Sequence, residues 1–311
     1  MTKTELGTIN GKAIYTTKGA AREYGRIGCN FYKGCPHGCT YCYLKRGAPS
    51  AQLGGSVAEL KKCLVNEDRA LEIFCDEARK HIDALQRYGL FFSFTTDPLI
   101  PETRNLTLSA LNFTMYNGIP VKVLTKDATF IDYQRMKYIL LSDAAKKFVQ
   151  FGFTLTARDD MEPNASTNQE RIETMRRLHD MGFKTFASIE PVIDWKHARM
   201  AVALSLDYCD HYKIGLRSGV GKDYYDLLQS GMAIRYLTEQ IVKDGRTVYL
   251  KKSTRALMRR CFIEKECERI LAMTLDMDGQ PYKKEYFFTN SSPTSYHKTK
   301  ERHYDRKGSD A

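Results

Sequence analysis

Six short apolar runs punctuate this chain, at residues 24–29, 90–95, 121–125, 149–154, 185–189 and 211–215. Amphipathic stretches of helical length lie between them, at 68–88, 101–116, 130–143 and 166–181. In the last of these, Ile172, Met175, Leu178 and Met181 recur at helical spacing, Ser166 and Gln169 read as a capping box, and Gly182 supplies a stop. Strands alternating with helices argue for a parallel sheet. Six such units, with a seventh strand candidate at 247–250, predict an α/β fold: a partial (β/α)6 TIM-like barrel with a C-terminal extension. The expected organisation is an N-terminal segment at 1–22, the barrel at 23–245 and a basic extension at 246–290. A polar tail at 291–311, rich in Ser, Thr and Lys, is expected to be disordered.

The 311 residues are 42% hydrophobic, enough for a substantial core. Lys and Arg number 48 against 37 Asp and Glu, a formal charge of +11 that favours anionic partners such as nucleic acid or nucleotides. The first residues show no signal-peptide pattern, and no apolar run approaches the ~20 residues that span a bilayer. These features predict a cytoplasmic protein without a membrane partner, in a compartment where free thiols survive.

Chemistry concentrates in the run Gly34-Cys-Pro-His-Gly-Cys-Thr-Tyr-Cys-Tyr43. Cys35, Cys39 and Cys42 have the spacing C-x3-C-x2-C, directly after the first predicted strand, where barrel chemistry sits at strand C-terminal ends. Three thiolates in one loop can hold three irons of a [4Fe–4S] cluster, which normally takes four. No fourth cysteine is close in sequence, so one iron would stay open. The rival is a Cys3His zinc site that adds His37, although structural zinc loops usually draw ligand pairs from two segments. Free thiols in a loop are the third reading.

The cysteine spacing, with aromatic Tyr41 before the third cysteine, resembles the cluster loop of the radical S-adenosylmethionine (SAM) superfamily. Within it, Thr95-Thr-Asp-Pro98, Val121-Lys-Val-Leu-Thr-Lys126, Phe153-Thr-Leu-Thr156 and Ile189-Glu-Pro-Val192 are similar, in order and spacing, to the spore photoproduct lyase-like branch, also described as DNA repair photolyase-like. The similarity covers roughly residues 24 to 215. It implies a [4Fe–4S] cluster on Cys35, Cys39 and Cys42, and S-adenosyl-L-methionine on the open iron. It implies reductive cleavage to a 5′-deoxyadenosyl radical, lyase-like hydrogen-abstraction chemistry and a flavodoxin- or ferredoxin-like electron donor. Carried over by position, Tyr41 and Tyr43 would wall the cluster and nucleoside. Thr96 and Asp97 would meet the methionine part of SAM, Lys126 its carboxylate, and Thr154 its ribose or carboxylate. Glu190 would bind SAM or substrate at the barrel mouth, or serve as an acid/base.

Each position also has a plain structural reading. Tyr43 can be packing, Thr96-Asp97-Pro98 a turn, Lys126 a solvated lysine and Glu190 a salt-bridge partner. The sequence departs from spore photoproduct lyases at Phe94, where the family places a hydrogen-donating cysteine, so that activity does not carry over. After the sixth strand, Gly215-Leu-Arg-Ser-Gly-Val-Gly221 offers Arg217 as a clamp for a carboxylate or phosphate, or is a mobile loop. Arg246, Lys251, Lys252, Arg255, Arg259 and Arg260 form a basic run suited to phosphates, or a solvated helix. The functional readings are therefore a radical SAM enzyme acting on a nucleic acid or nucleotide, one acting on a peptide or small metabolite, and a non-catalytic iron–sulfur or zinc nucleic-acid-binding protein.

Overall fold

A computed structural model describes residues 6–282; the tail at 291–311 lies outside the described residues. An eight-stranded sheet forms the frame: β1 (Ile14–Thr16), β2 (Ile27–Cys29), β5 (Leu90–Phe92), β6 (Val121–Thr125), β7 (Val149–Thr154), β8 (Lys184–Val192), β9 (His211–Leu216) and β10 (Thr247–Leu250), neighbours in that order. From β2 to β10 every pairing is parallel, and β1 alone runs antiparallel, on β2. A separate ribbon pairs β3 (Tyr32–Lys33) with β4 (Glu59–Leu60). The helices are α1 (Gly47–Leu53), α2 (Glu67–Lys80), α3 (Ile82–Tyr88), α4 (Arg104–Tyr116), α5 (Met136–Leu140), α6 (Asp143–Phe148), α7 (Asn168–Asp180), α8 (Trp195–Ser205), α9 (Leu227–Lys243), α10 (Lys252–Cys261) and α11 (Glu264–Ala272).

The partial barrel is as expected in kind, with seven parallel strands where six units were counted. β10 pairs with β9, so the sheet runs past residue 245. The two outermost strands, β1 and β10, are not neighbours, and the barrel stays open. Side chains bridge the seam. The Glu23 carboxylate accepts from Tyr249 Oη at 2.7 Å and from the Lys252 N–H at 2.6 Å, and Arg26 pairs with Asp278. At the other edge, the Glu77 carboxylate on α2 accepts the backbone N–H groups of Lys12, Ala13 and Ile14 (2.6, 3.1 and 2.8 Å), which satisfies donors an edge would leave free.

Local boundaries differ from the sequence reading in instructive ways. The segment 68–88 breaks at His81 into α2 and α3, because His81 takes a non-helical ψ of 25°. The stretch 130–143 gives only a short 3-10 turn (Thr129–Asp132) followed by α5. The capping box of α7 uses Thr167 and Glu170, one residue later than Ser166 and Gln169, and Ser166 instead accepts the Ala128 N–H. β2 ends at Cys29 as expected but starts only at Ile27, and β5 ends early, at Phe92, where the chain beyond it enters the site.

Alternation divides each strand between helices and lumen. On β6, Val121, Val123 and Thr125 are buried, while Lys122 and Leu124 occupy the other face and are less covered. On β7, Phe151 and Phe153 are fully buried, each worth roughly 1.5–3 kcal/mol of transfer free energy. Gly152 between them leaves space for Phe186 of β8: a Cβ there would lie 2.1 Å from the ring.

Candidate active site

All ten residues singled out as metal or SAM ligands line one cleft at the C-terminal ends of the strands. Cys35, Cys39, Cys42, Tyr41, Tyr43, Thr96, Asp97, Lys126, Thr154 and Glu190 meet there, around about 1000 Å³ of space that is partly open to solvent. Phe91, Phe94, Leu124 and Leu216 supply apolar walls. Polar groups set in an apolar concavity are the usual make-up of a small-molecule site.

Backbone hydrogen bonds fix the cysteine loop from two sides. Gly34 and Cys35 donate to the carbonyls of Leu53 and Gly55. Thr40 donates to Met161 O, Asn164 donates to His37 O, and the Asn164 side chain donates to Pro36 O at 2.8 Å. The segment between β7 and α7 therefore holds the loop. Cys39, Tyr41 and Ile193 form a small apolar cluster with Cys42 and Met161. All three loop cysteines are free thiols. Burial pushes the Cys35 thiol up to about 11, and the neighbouring Asp97 charge adds to this. A ligand that requires thiolate must supply the compensating positive charge.

His37, which the sequence offered as a zinc ligand, is engaged elsewhere. Its Nε2 lies 2.8 Å from Asp97 Oδ2 and its Nδ1 lies 3.2 Å from Asn164 O. Both groups of the His37–Asp97 pair are about 5% exposed, deep enough for the pair to be weakly screened. Asp97 also accepts from Leu99 N (3.0 Å), Thr125 Oγ1 (2.7 Å) and Lys126 N (2.7 Å). Burial works to raise the Asp97 carboxyl, but these hydrogen bonds and His37 outweigh it and hold it below the usual range. For His37, burial works to lower the imidazole and the bond and charge of Asp97 prevail, leaving it raised. Among the described residues, no three His, Cys, Asp or Glu side chains converge as around a single metal ion. With both His37 ring nitrogens engaged, the three thiols are left as the donor set, the number that a [4Fe–4S] cluster with one open iron would take.

Glu162 is a second hub, not anticipated from sequence. Its carboxylate accepts from Tyr41 Oη and from Arg171 Nη2 (2.6 Å), and Lys126 Nζ lies 4.0 Å away. The Glu162 and Arg171 side chains are fully buried. Lys126 Nζ also sits 5.6 Å from the Tyr41 ring centroid, within cation–π range. Tyr43 is half exposed and donates to the carbonyl of Phe94. Thr96 Oγ1 is buried and has no hydrogen-bond partner, an orphan that a ligand in the cleft can satisfy. With the Lys126 ammonium, held only by a long 4.0 Å approach to Glu162, it fits a bound amino-acid moiety.

Glu190 belongs to a third network, which rises from the lumen. Its carboxylate accepts from Tyr24 Oη and from Lys251 Nζ at 2.5 Å. Lys251 is 2% exposed and lies 4.2 Å from the Tyr24 ring. Gly215 is required beside this pair: a Cβ there would approach Glu190 Cδ to 2.7 Å and Lys251 Cδ to 2.8 Å. Below, Lys213 Nζ donates to Glu23 O at 2.5 Å, and burial holds its ammonium well below the usual lysine range.

Of the basic run at 246–260, Lys252, Arg255 and Arg259 lie on α10, with Lys252 and Arg259 exposed. Lys251 turns into the lumen, Arg246 bonds Asp207 O, Arg255 bonds Tyr282 Oη and Arg260 bonds Lys222 O. Among the described residues, no helix is long and apolar enough to cross a membrane.

No family model matches this chain, and no curated protein matches it. Among solved structures, similarity is found to SuiB from Streptococcus suis bound to S-adenosylmethionine, with a TM-score of 0.46 and 13% identity over 71% of this chain and 50% of that one. The same protein without a named ligand gives 0.47 and 13% over 70% and 46%; bound to the precursor peptide SuiA it gives 0.45 and 12% over 74% and 50%. This chain thus spans about half the length of SuiB, and a likeness this distant transfers no chemistry to it.

Proposed function

We propose that this protein is a radical SAM enzyme: Cys35, Cys39 and Cys42 hold a [4Fe–4S] cluster, and S-adenosyl-L-methionine binds in the same cleft. The supporting observation is convergence. Three unpaired cysteines from one loop share a cleft with the Lys126 ammonium and an orphaned buried hydroxyl (Thr96), while His37 is committed to Asp97. When bound, the cluster and SAM supply a 5′-deoxyadenosyl radical that abstracts hydrogen. The chain's own residues bind and shield. Lys126 offers a point charge to the carboxylate of SAM, Thr96 and Thr154 offer hydroxyls, and Tyr41, Phe91 and Phe94 exclude water. Glu190, already holding Tyr24 and Lys251, presents a positioned carboxylate at the mouth. An electron donor of flavodoxin or ferredoxin type completes the system.

The resemblance of the strand-end stretches favours a nucleotide or nucleic-acid substrate and lyase-like chemistry. Phe94 stacks on Phe91 (4.6 Å between centroids), so this position offers packing and no hydrogen atom to a product radical. The test is anaerobic reconstitution followed by iron and sulfide analysis, Mössbauer spectroscopy and reduction with dithionite in the presence of SAM. A cubane spectrum and formation of 5′-deoxyadenosine are expected. Reconstituted protein with no cubane, or with a cubane and no SAM cleavage, overturns the proposal.

A further inference from the structure

A second concavity lies at the opposite end of the barrel, where the strands begin. It is a chamber of about 1840 Å³, partly open to solvent, bounded by the starts of β5, β6 and β7 and the segment before β2. Tyr24 and Phe91 line both this chamber and the cysteine cleft, so their rings, 5.2 Å apart, stand between the two spaces.

Sheet register decides what the chamber presents. Phe91 is paired with Lys122, and Lys122 with Gln150, across β5, β6 and β7. Neighbouring strands lie about 4.8 Å apart, and the pleat turns one register row to one face. The row therefore brings a ring, an ammonium and an amide side by side, and all three line the chamber. The residues that flank Lys122 and Gln150 in sequence (Val121, Val123, Val149 and Phe151) are buried on the other face.

This row has unmet bonding capacity. Among the described residues, no carboxylate lies within ion-pair distance of Lys122, and no group bonds the Gln150 side chain. Burial holds the Lys122 ammonium below the usual lysine range, and the Asp278 charge offsets this only in part. Its charge also acts on Lys213 and His211, both held low first by their own burial. The two carboxylates that line the chamber are occupied. Asp278 takes the Arg26 guanidinium, with Nε at 2.8 Å, and Asp276 accepts the N–H groups of Asp278 and Gln280, both at 2.9 Å. Exposed Arg87 and Lys147 stand at the edge, against the rings of Tyr88 and Phe148 at 5.2 and 5.1 Å, and neither has a carboxylate partner among the described residues. Four cations against two committed carboxylates leave the chamber positive. A shielded charge without a counter-charge is costly, and one that lines a cavity is poised for an external anion. An ammonium is a point charge, and it takes a planar carboxylate or a tetrahedral phosphate alike.

We propose that this chamber is a binding site for a small organic anion, whose carboxylate or phosphate group is held by Lys122 and Gln150. It is distinct from the cysteine cleft, and the inference does not depend on the radical SAM reading.

The test is calorimetric titration of the full chain with phenyl phosphate, benzoate, phenol and benzylamine. Phenyl phosphate or benzoate should bind, and phenol and benzylamine should not. The tighter of the two anions identifies the group that the site prefers. Lys122→Met should weaken anion binding about 10-fold or more, and Gln150→Met about 3- to 10-fold. Lys147→Met should have a smaller effect that fades with added salt. Lys146→Met, whose ammonium pairs with Asp143 at 3.5 Å, should change nothing. Lys122→Met should also raise the Tm of the unliganded protein, because it removes a shielded charge that has no ion-pair partner. A lower Tm would mean that the fold itself uses the ammonium, and overturns the inference. If Gln150→Met fails to fold, Lys122→Met and Lys147→Met carry the test. Lys126→Met, in the cysteine cleft, should leave anion affinity unchanged; a loss there as large as in Lys122→Met puts the probe in that cleft and overturns the inference. So does phenol or benzylamine binding as tightly as the anions, binding by none of the four probes, or unchanged affinity in Lys122→Met.

Discussion

The His37 imidazole lies 2.8 Å from the Asp97 carboxylate, joining the middle of the cysteine loop to the turn after β5. Through Thr125 Oγ1 and the Lys126 N–H, the same carboxylate also holds the end of β6. One buried anion therefore sets the cysteine loop against Lys126. Asp97→Asn keeps the volume but turns an acceptor oxygen into a donor facing His37 and Lys126 N–H. It should cost about 3 kcal/mol in urea unfolding and lower the iron retained after reconstitution. Full iron content with unchanged stability would show that the loop needs no such anchor.

The same pair makes stability depend on pH in a defined direction. His37 is raised in the folded protein, so its contribution is complete below the unfolded value near 6.5 and fades as pH climbs through the folded value. Asp97 is lowered, so its contribution is present above about pH 4 and is lost only on further acidification. Unfolding free energy should therefore fall as pH rises above about 6.5, and His37→Gln should flatten that slope. A slope that persists in the variant assigns the effect to other groups.

Thr96 separates structure from binding. Its hydroxyl is buried with no partner, so Thr96→Ala should change unfolding free energy by less than about 0.5 kcal/mol, or raise it. If SAM takes that hydroxyl, affinity should drop about 3- to 10-fold in equilibrium dialysis. A large loss of stability with unaltered SAM affinity would place the hydroxyl in the fold instead.

Strand positions and the cysteine loop were legible because each is written locally: runs of Val, Phe and Ile, and three cysteines within eight residues. The capping box slipped by one residue because Ser166/Gln169 and Thr167/Glu170 both fit the motif, and only the Ala128 N–H bond to Ser166 decides between them. What escaped is the scaffolding of the site. His37 meets Asp97 60 residues away, Tyr41 meets Glu162 121 away, and Tyr24 meets Glu190 166 away. No local pattern encodes such pairs. The basic run divides for the converse reason: once β10 and α10 form, Lys251 turns into the lumen while Lys252, Arg255 and Arg259 stay together on α10.

Lys251 and Glu190 provide the sharpest energetic test of the lumen. Lys251 is 2% exposed and Glu190 24%, so the pair is only partly shielded from water. Lys251→Met leaves Glu190 with Tyr24 alone and should cost about 3 kcal/mol, the low end for a buried pair because of that partial exposure. Glu190→Gln should cost about as much, since it leaves the buried ammonium only the more distant Glu23 carboxylate at 3.8 Å. The double variant should then be more stable than the sum of the two losses predicts, by about 1–3 kcal/mol, because neither charge remains unpaired. Urea unfolding of all four proteins closes this cycle, and strict additivity would show that the two side chains do not interact as their 2.5 Å separation requires.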